Sequence, residues 1–142
     1  MRTLEDIVNH VDVVSDGKMG RYVFQKYIEC PLLIYNTKFD IRQWFLVTSV
    51  YPLTIWFYNE CYLRFASQPF SLVNLHESIH LTNNAIQKNY TNCSNRNANL
   101  PEENMWHSSK FQDYLSEIGQ ADKWNTVILP GMKQGIVGAV LA

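Results

Sequence analysis

The sequence predicts an α+β fold: a mostly antiparallel sheet from residue 21 to about residue 66, with helices after it. Two observations lead there. β-Branched and aromatic runs follow one another through "RYVFQKYI", "CPLLIYN", "DIRQWFLVT", "LTIWFYN" and "YLRFA", with turn signals such as "SDGK" and "SVYP" between them. Downstream, "HSSKFQDYLSEIG" carries its apolar residues at helical spacing. A length of 142 residues, with 46% hydrophobic and 18% charged side chains, suits one soluble domain with a modest core.

The elements follow in order. Up to about Val14 the pattern fits a short helix or a strand equally. A strand is expected over Arg21 to Ile28, and Pro31 marks an edge or a strand start in Cys30 to Asn36. Asp40 to Thr48 and Leu53 to Asn59 form the arms of a hairpin, and Tyr62 to Ala66 extends it as a further short strand. Ser71 to Gln87 is irregular. A polar loop is assigned to residues 88–106, its turn formers crowded into Lys88 to Asn104. The helix from His107 to Gly119 has Ser108 or Ser109 as its cap. Phe111, Leu115 and Ile118 form its apolar stripe, and Gly119 ends it. Thr126 to Ala142 reads as a strand or turn and then a helix that stops mid-pattern. That pattern leads us to expect a piece of a longer protein.

Composition removes several function classes. A formal net charge of -1 gives no bulk electrostatic case for binding nucleic acid. An RNA-binding sheet is further disfavoured because no RNP-type Gly-Phe motif is present. Cys30, Cys61 and Cys93 lie far apart without a CxxC pair or a zinc-spaced histidine, so free thiols are expected and no metal site. The triplets at Asn89 and Asn92 are read as chance sequons in an Asn-rich loop. No run approaches the roughly 18 apolar residues of a membrane span, and "MRTLEDIVNH" is no signal sequence. The chain reads as cytoplasmic.

In "TKFDIRQWFLVT", Lys38, Asp40 and Arg42 occupy alternate positions of a strand. Their side chains therefore share one face, about 6–7 Å from one to the next. A solvated strand entry explains such a row, with each ion pair contributing about 0–1 kcal/mol. The same residue types also suit an anion site, where Arg offers a planar fork and Lys a point charge. Spacing alone favours the solvated face.

A wider span changes that balance. "VFQKYIECPLLIYNTKFDIRQWFLVT", then "PLTIWFY", "YLRFA", "HLTNNAIQK" and "PGMK", resembles the tubulin–tyrosine-ligase-like family of ATP-grasp enzymes in order and wording. The wording is closest to the glycylase branch. The resemblance implies a partial ATP-grasp domain over residues 1–142. It implies that Gln25, Lys26, Tyr27 and Ile28 line an adenine pocket, and that Lys38 and Asp40 contact ribose and phosphates. Arg42 would face the terminal phosphate, and Arg64 the reacting acceptor or amino acid. Thr82 and Asn83 would close over the phosphate side. His80 is set aside as structural.

The activity implied is ATP-dependent ligation of glycine to glutamate side chains in the acidic C-terminal tails of tubulin, through an acyl phosphate. Microtubules, the cytoskeleton and the cilium are its implied location. Glutamylation or tyrosination would use the same nucleotide residues; "DIRQWFLVT" and "NNAIQK" favour glycine. The family's magnesium ligands sit in two blocks downstream of those matched here, a Phe-Glu-Leu-Tyr-Gly type segment and a Glu-x-Asn motif. Mg²⁺ ligands are therefore expected outside this chain, and the chain alone is expected to be inactive and poorly soluble. A non-catalytic microtubule-binding fragment is the alternative.

Overall fold

The computed structural model describes residues 4–6, 8–9 and 25–142. It is a mixed helix and sheet structure whose antiparallel sheet has the order β1-β2-β3-β4. The strands are β1 (Leu33–Ile34), β2 (Thr37–Val50), β3 (Leu53–Phe65) and β4 (Met105–His107). Residues 4–6 and 8–9 are helical, which decides the N-terminal ambiguity for those positions.

The expected strand over 21–28 falls partly outside the described residues. Its described part, residues 25–28, forms no strand and is exposed. The sheet instead opens at β1, and Tyr35 and Asn36 turn the chain with φ of 47° and 57°. Two successive left-handed residues make the tight turn whose twist matches a hairpin, and Asn tolerates that conformation well. Tyr35 adopts it while its ring packs on Tyr114 at 5.5 Å.

β2 and β3 form the long hairpin, turned at Tyr51–Pro52 between the paired Val50 and Leu53. The separate short strand expected at Tyr62 is the continuation of β3. The pairing slips between Gln43 and Phe45, so Tyr58, Asn59 and Glu60 bulge past Trp44. Gln43 bridges the irregularity, donating from Nε2 to the carbonyls of Trp44 and Tyr58 at 2.8 Å each. The break in the apolar pattern that separated two expected strands is a bulge within one strand.

Alternation then sorts the hairpin's proximal half. Leu63 and Phe65 are fully buried, and Phe39 and Ile41 pack beside them. Trp106 of β4, Leu100, Trp124 and the helix residues Phe111 and Leu115 complete this core. β4 occupies the end of the expected polar loop, because Trp106 meets Phe65 edge-on at 5.0 Å. Helix α3 (Ser108–Glu117) follows at once. Its N-cap is His107, without a side-chain cap bond, so neither Ser108 nor Ser109 caps it. Ile118 lies past the helix and is half exposed, while Gly119 ends it at φ 71° as expected.

The C-terminal segment contains no strand. Trp124–Ile128 forms a π-helical turn that runs into helix α4 (Leu129–Leu141). Pro130 sits in the first turn of α4 and has no N–H to continue the bonding of the π-helical turn that precedes it. Two four-residue helices, α1 (Glu77–His80) and α2 (Asn84–Gln87), occupy the stretch read as irregular.

Candidate functional site

With Phe39, Ile41, Leu63 and Phe65 turned to the core, the intervening residues face the other way. Lys38, Asp40 and Arg42 of β2 thus share a face with Tyr62 and Arg64 of β3, and the register sets Asp40 opposite Arg64 and Arg42 opposite Tyr62. On this strip three cations face one carboxylate. Arg64 grips Asp40 with a two-pronged contact: Nε donates to Oδ1 at 2.8 Å and Nη2 donates to Oδ2. That hydrogen bond holds the guanidinium charged, raising its pKa against the opposing effect of burial. Alternation along the strand had set Asp40 between Lys38 and Arg42. The pairing across the strands gives it to Arg64 instead, because directly opposed residues are closer than residues two apart on one strand.

Lys38 is tied elsewhere. Its Nζ donates to the Tyr27 hydroxyl at 2.8 Å and lies 4.7 Å from that ring's centre. The hydroxyl in turn is 2.6 Å from Nδ1 of buried His80, whose Nε2 is 2.8 Å from the carbonyl of Asn74. Arg42 is exposed and stacks on Trp44, with Cζ 4.8 Å from the ring centre. Among the described residues it has no ion-pair partner.

Two cavities flank the strip. One of about 730 Å³ is lined by Gln25, Lys26, Tyr27, Glu29, Leu72, Leu75 and His80. Ile28 is not part of that lining and is exposed. The other, about 270 Å³, brings Arg64 and Tyr62 together with Thr82, Asn84, Gln87, Glu103 and Met105. Thr82 is buried there, whereas Asn83 spends its side-chain oxygen on the N–H of Ala85 as the cap of α2. Gln87 holds this wall in place. It accepts from the N–H of buried Ser67 at 2.8 Å and donates to the carbonyls of Ser78 and Leu81. Sequence reasoning set His80 aside as structural and did not single out Gln87, which stands among other polar residues in "NNAIQK".

Across residues 1–142 the sequence matches the profile of the Tubulin-tyrosine ligase family. The chain belongs to the tubulin-tyrosine ligase family. Tubulin glycylase 3A of Drosophila melanogaster is 55% identical over 142 residues, covering 100% of this chain and 14% of the relative. Human Tubulin monoglycylase TTLL3 is 55% identical over 134 residues, covering 94% of this chain and 17% of the relative. Mouse Protein monoglycylase TTLL8 is 50% identical over 141 residues, again reaching 17% of the relative. The chain therefore spans between 14% and 17% of the length of these relatives.

Within this family domain, the hairpin supplies a cation-rich strip and the α1–α2 segment supplies walls for both cavities. Tyr27 and His80 connect the strip to the larger cavity; Arg64 connects it to the smaller. Among the described residues, no group of three or more His, Cys, Asp or Glu side chains is placed to hold a metal ion. None of the described helices is long and apolar enough to cross a membrane.

Proposed function

We propose that this chain supplies the nucleotide- and acceptor-facing hairpin of an ATP-dependent carboxylate–amine ligase that adds glycine to glutamate side chains of tubulin tails. The carrying observation is the strip itself: Lys38, Arg42 and Arg64 on one sheet face, with Asp40 engaged only by Arg64. The names of the relatives, tubulin glycylase and monoglycylase, support glycine and tubulin as the substrates.

In this reading the adenine enters the 730 Å³ cavity beside Gln25, Lys26 and Tyr27, and the phosphates run along the strip toward Arg42. The acceptor carboxylate attacks the terminal phosphorus, the bond from that phosphorus to the bridging oxygen breaks, and ADP leaves with the electron pair. The resulting acyl phosphate is attacked by the amine of glycine; phosphate departs, the nitrogen loses a proton, and an isopeptide bond remains. Such chemistry depends on positioning and on cations near the equatorial oxygens. Arg42, exposed and planar, suits the terminal phosphate, and Arg64 suits a carboxylate through the guanidinium face that Asp40 leaves open.

The magnesium that the family's phosphoryl chemistry employs does not fit the described residues, because Asp40 is already gripped by Arg64 and no acidic cluster surrounds it. On this reading its ligands lie in other parts of the ligase, and the 142 residues alone bind nucleotide weakly without turnover.

The test is ATP binding by the chain, measured with Lys38→Ala and Arg42→Ala variants. Each substitution is expected to weaken binding about tenfold, the loss of one charge-assisted contact. Labelled glycine is expected to enter tubulin with a full-length ligase that carries this chain, and not with its Arg42→Ala variant. Unchanged affinity in both variants of a folded protein would sink the nucleotide reading.

A further inference from the structure

A chain of hydrogen bonds runs from Lys38 through Tyr27 and His80 to Asn74. A backbone carbonyl only accepts, so the 2.8 Å contact from His80 to Asn74 puts the ring proton on Nε2. With the ring neutral, Nδ1 is an acceptor and the Tyr27 hydroxyl at 2.6 Å donates to it. With its proton committed, the phenolic oxygen offers only lone pairs, and the Lys38 ammonium donates to one of them at 2.8 Å. Edge-on contacts of His80 with Tyr27 and Phe70, both at 5.5 Å, hold the imidazole in its plane.

We propose that His80 and Tyr27 are positioning residues that aim Lys38, so that the wall of the larger cavity and the cation of the strip are set as one unit. This rests on the nucleotide reading above. A lysine side chain gives up rotamer freedom when it is ordered. Holding it before the ligand arrives removes that cost from binding. Tyr27 is suited to the task because it lines the cavity while its oxygen accepts from the ammonium. A histidine that merely fills a core would need only the Asn74 bond. The hydroxyl placed between its second nitrogen and Lys38 is what a positioning role adds.

The experiment is a double-mutant cycle on the full 142-residue chain, read by calorimetric ATP affinity, with thermal unfolding to verify that each variant is folded. Tyr27→Phe keeps the ring and removes only the oxygen. It is expected to weaken ATP about fivefold to tenfold, and less than twofold when Lys38→Ala is already present. His80→Ala is expected to match Tyr27→Phe, and His80→Gln, which can accept from Tyr27 and donate to Asn74, to restore most of the affinity. Independent, multiplying effects of Tyr27→Phe and Lys38→Ala would overturn the proposal. Nitrogen-edited spectra of the imidazoles supply a readout without ATP. A proton on His80 Nε2, and a shift of Nδ1 alone in Tyr27→Phe, support the relay; a proton on Nδ1 refutes it. Wild-type chain that shows the relay in its spectrum and binds no ATP would overturn both the nucleotide reading and the positioning role, whereas binding with independent effects would overturn the positioning role alone.

Discussion

Asp40 and Gln87 show how a single polar side chain acquires its task. Asp40 was legible as part of a charged row, but the row runs along one strand and the partner sits on the next. Its bidentate acceptor geometry matches the fork of Arg64, and the register delivers that fork directly opposite. Gln87 was not legible at all. In the sequence it is one more polar residue in "NNAIQK"; in the fold its amide meets three backbone groups from two segments. Replacing Gln87 by Ala leaves the N–H of Ser67, in a fully buried residue, without its acceptor. The expected cost is about 1–3 kcal/mol, read as a lower urea midpoint with an unchanged slope. A loss of under about 0.5 kcal/mol would mean that water replaces the amide.

Elements were read best where one periodicity ran undisturbed. Helix α3 was recognised from Phe111 and Leu115, and its end from Gly119, whose φ of 71° lies where L-residues with a Cβ are strained. Nothing lies within 4 Å of a Cβ added there, so Gly119→Ala isolates the backbone term. It is expected to cost about 1 kcal/mol. Gly135 in the middle of α4 also has open space around it, and Gly135→Ala is expected to stabilise by about 0.8–1.0 kcal/mol. Opposite signs for two chemically identical substitutions, read by thermal unfolding, would confirm that conformation and not packing decides them. Elements were misread where a tertiary partner overrode local pattern. β4 forms because Trp106 is needed against Phe65, and residues 25–28 stay out of the sheet although their side chains suit a strand.

At the scale of the molecule the core is concentrated at one end. Phe65, Phe111, Leu63 and Ile34 are essentially inaccessible there, while the far half of the hairpin leaves Trp44, Leu46, Tyr51, Trp56 and Tyr58 exposed. Two titratable groups belong to the core side. Burial pushes the Cys61 thiol up, with the hydrogen bond to Ser108 partly opposing it, and burial likewise raises the Tyr114 phenol, helped by the nearby Tyr35 and Glu117. The folded state therefore holds both protons more tightly than the unfolded chain does. Below their ordinary values of 9.0 and 10.0 both groups are protonated in either state, and stability is unaffected. As pH rises through 9.0 the unfolded chain releases its protons first, and stability falls. Urea midpoints measured across that range are expected to drop, and Cys61→Ala to remove the earlier part of the drop. A flat profile in the parent chain would show that these groups titrate alike folded and unfolded.

The sequence by itself determined the fold class, the long hairpin, helix α3 and the membership of the tubulin-tyrosine ligase family, because period-2 and period-3.6 patterns and ordered motif blocks are local properties of the chain. It also determined that Lys38, Asp40 and Arg42 share a face, since alternation along a strand needs no partner. Tertiary structure alone decided that Asp40 belongs to Arg64, that Lys38 is held by Tyr27 and His80, and that Gln87 braces the wall beside Thr82. Those pairings join residues 6 to 53 positions apart, and such hydrogen bonds depend on register and packing, which no local pattern encodes.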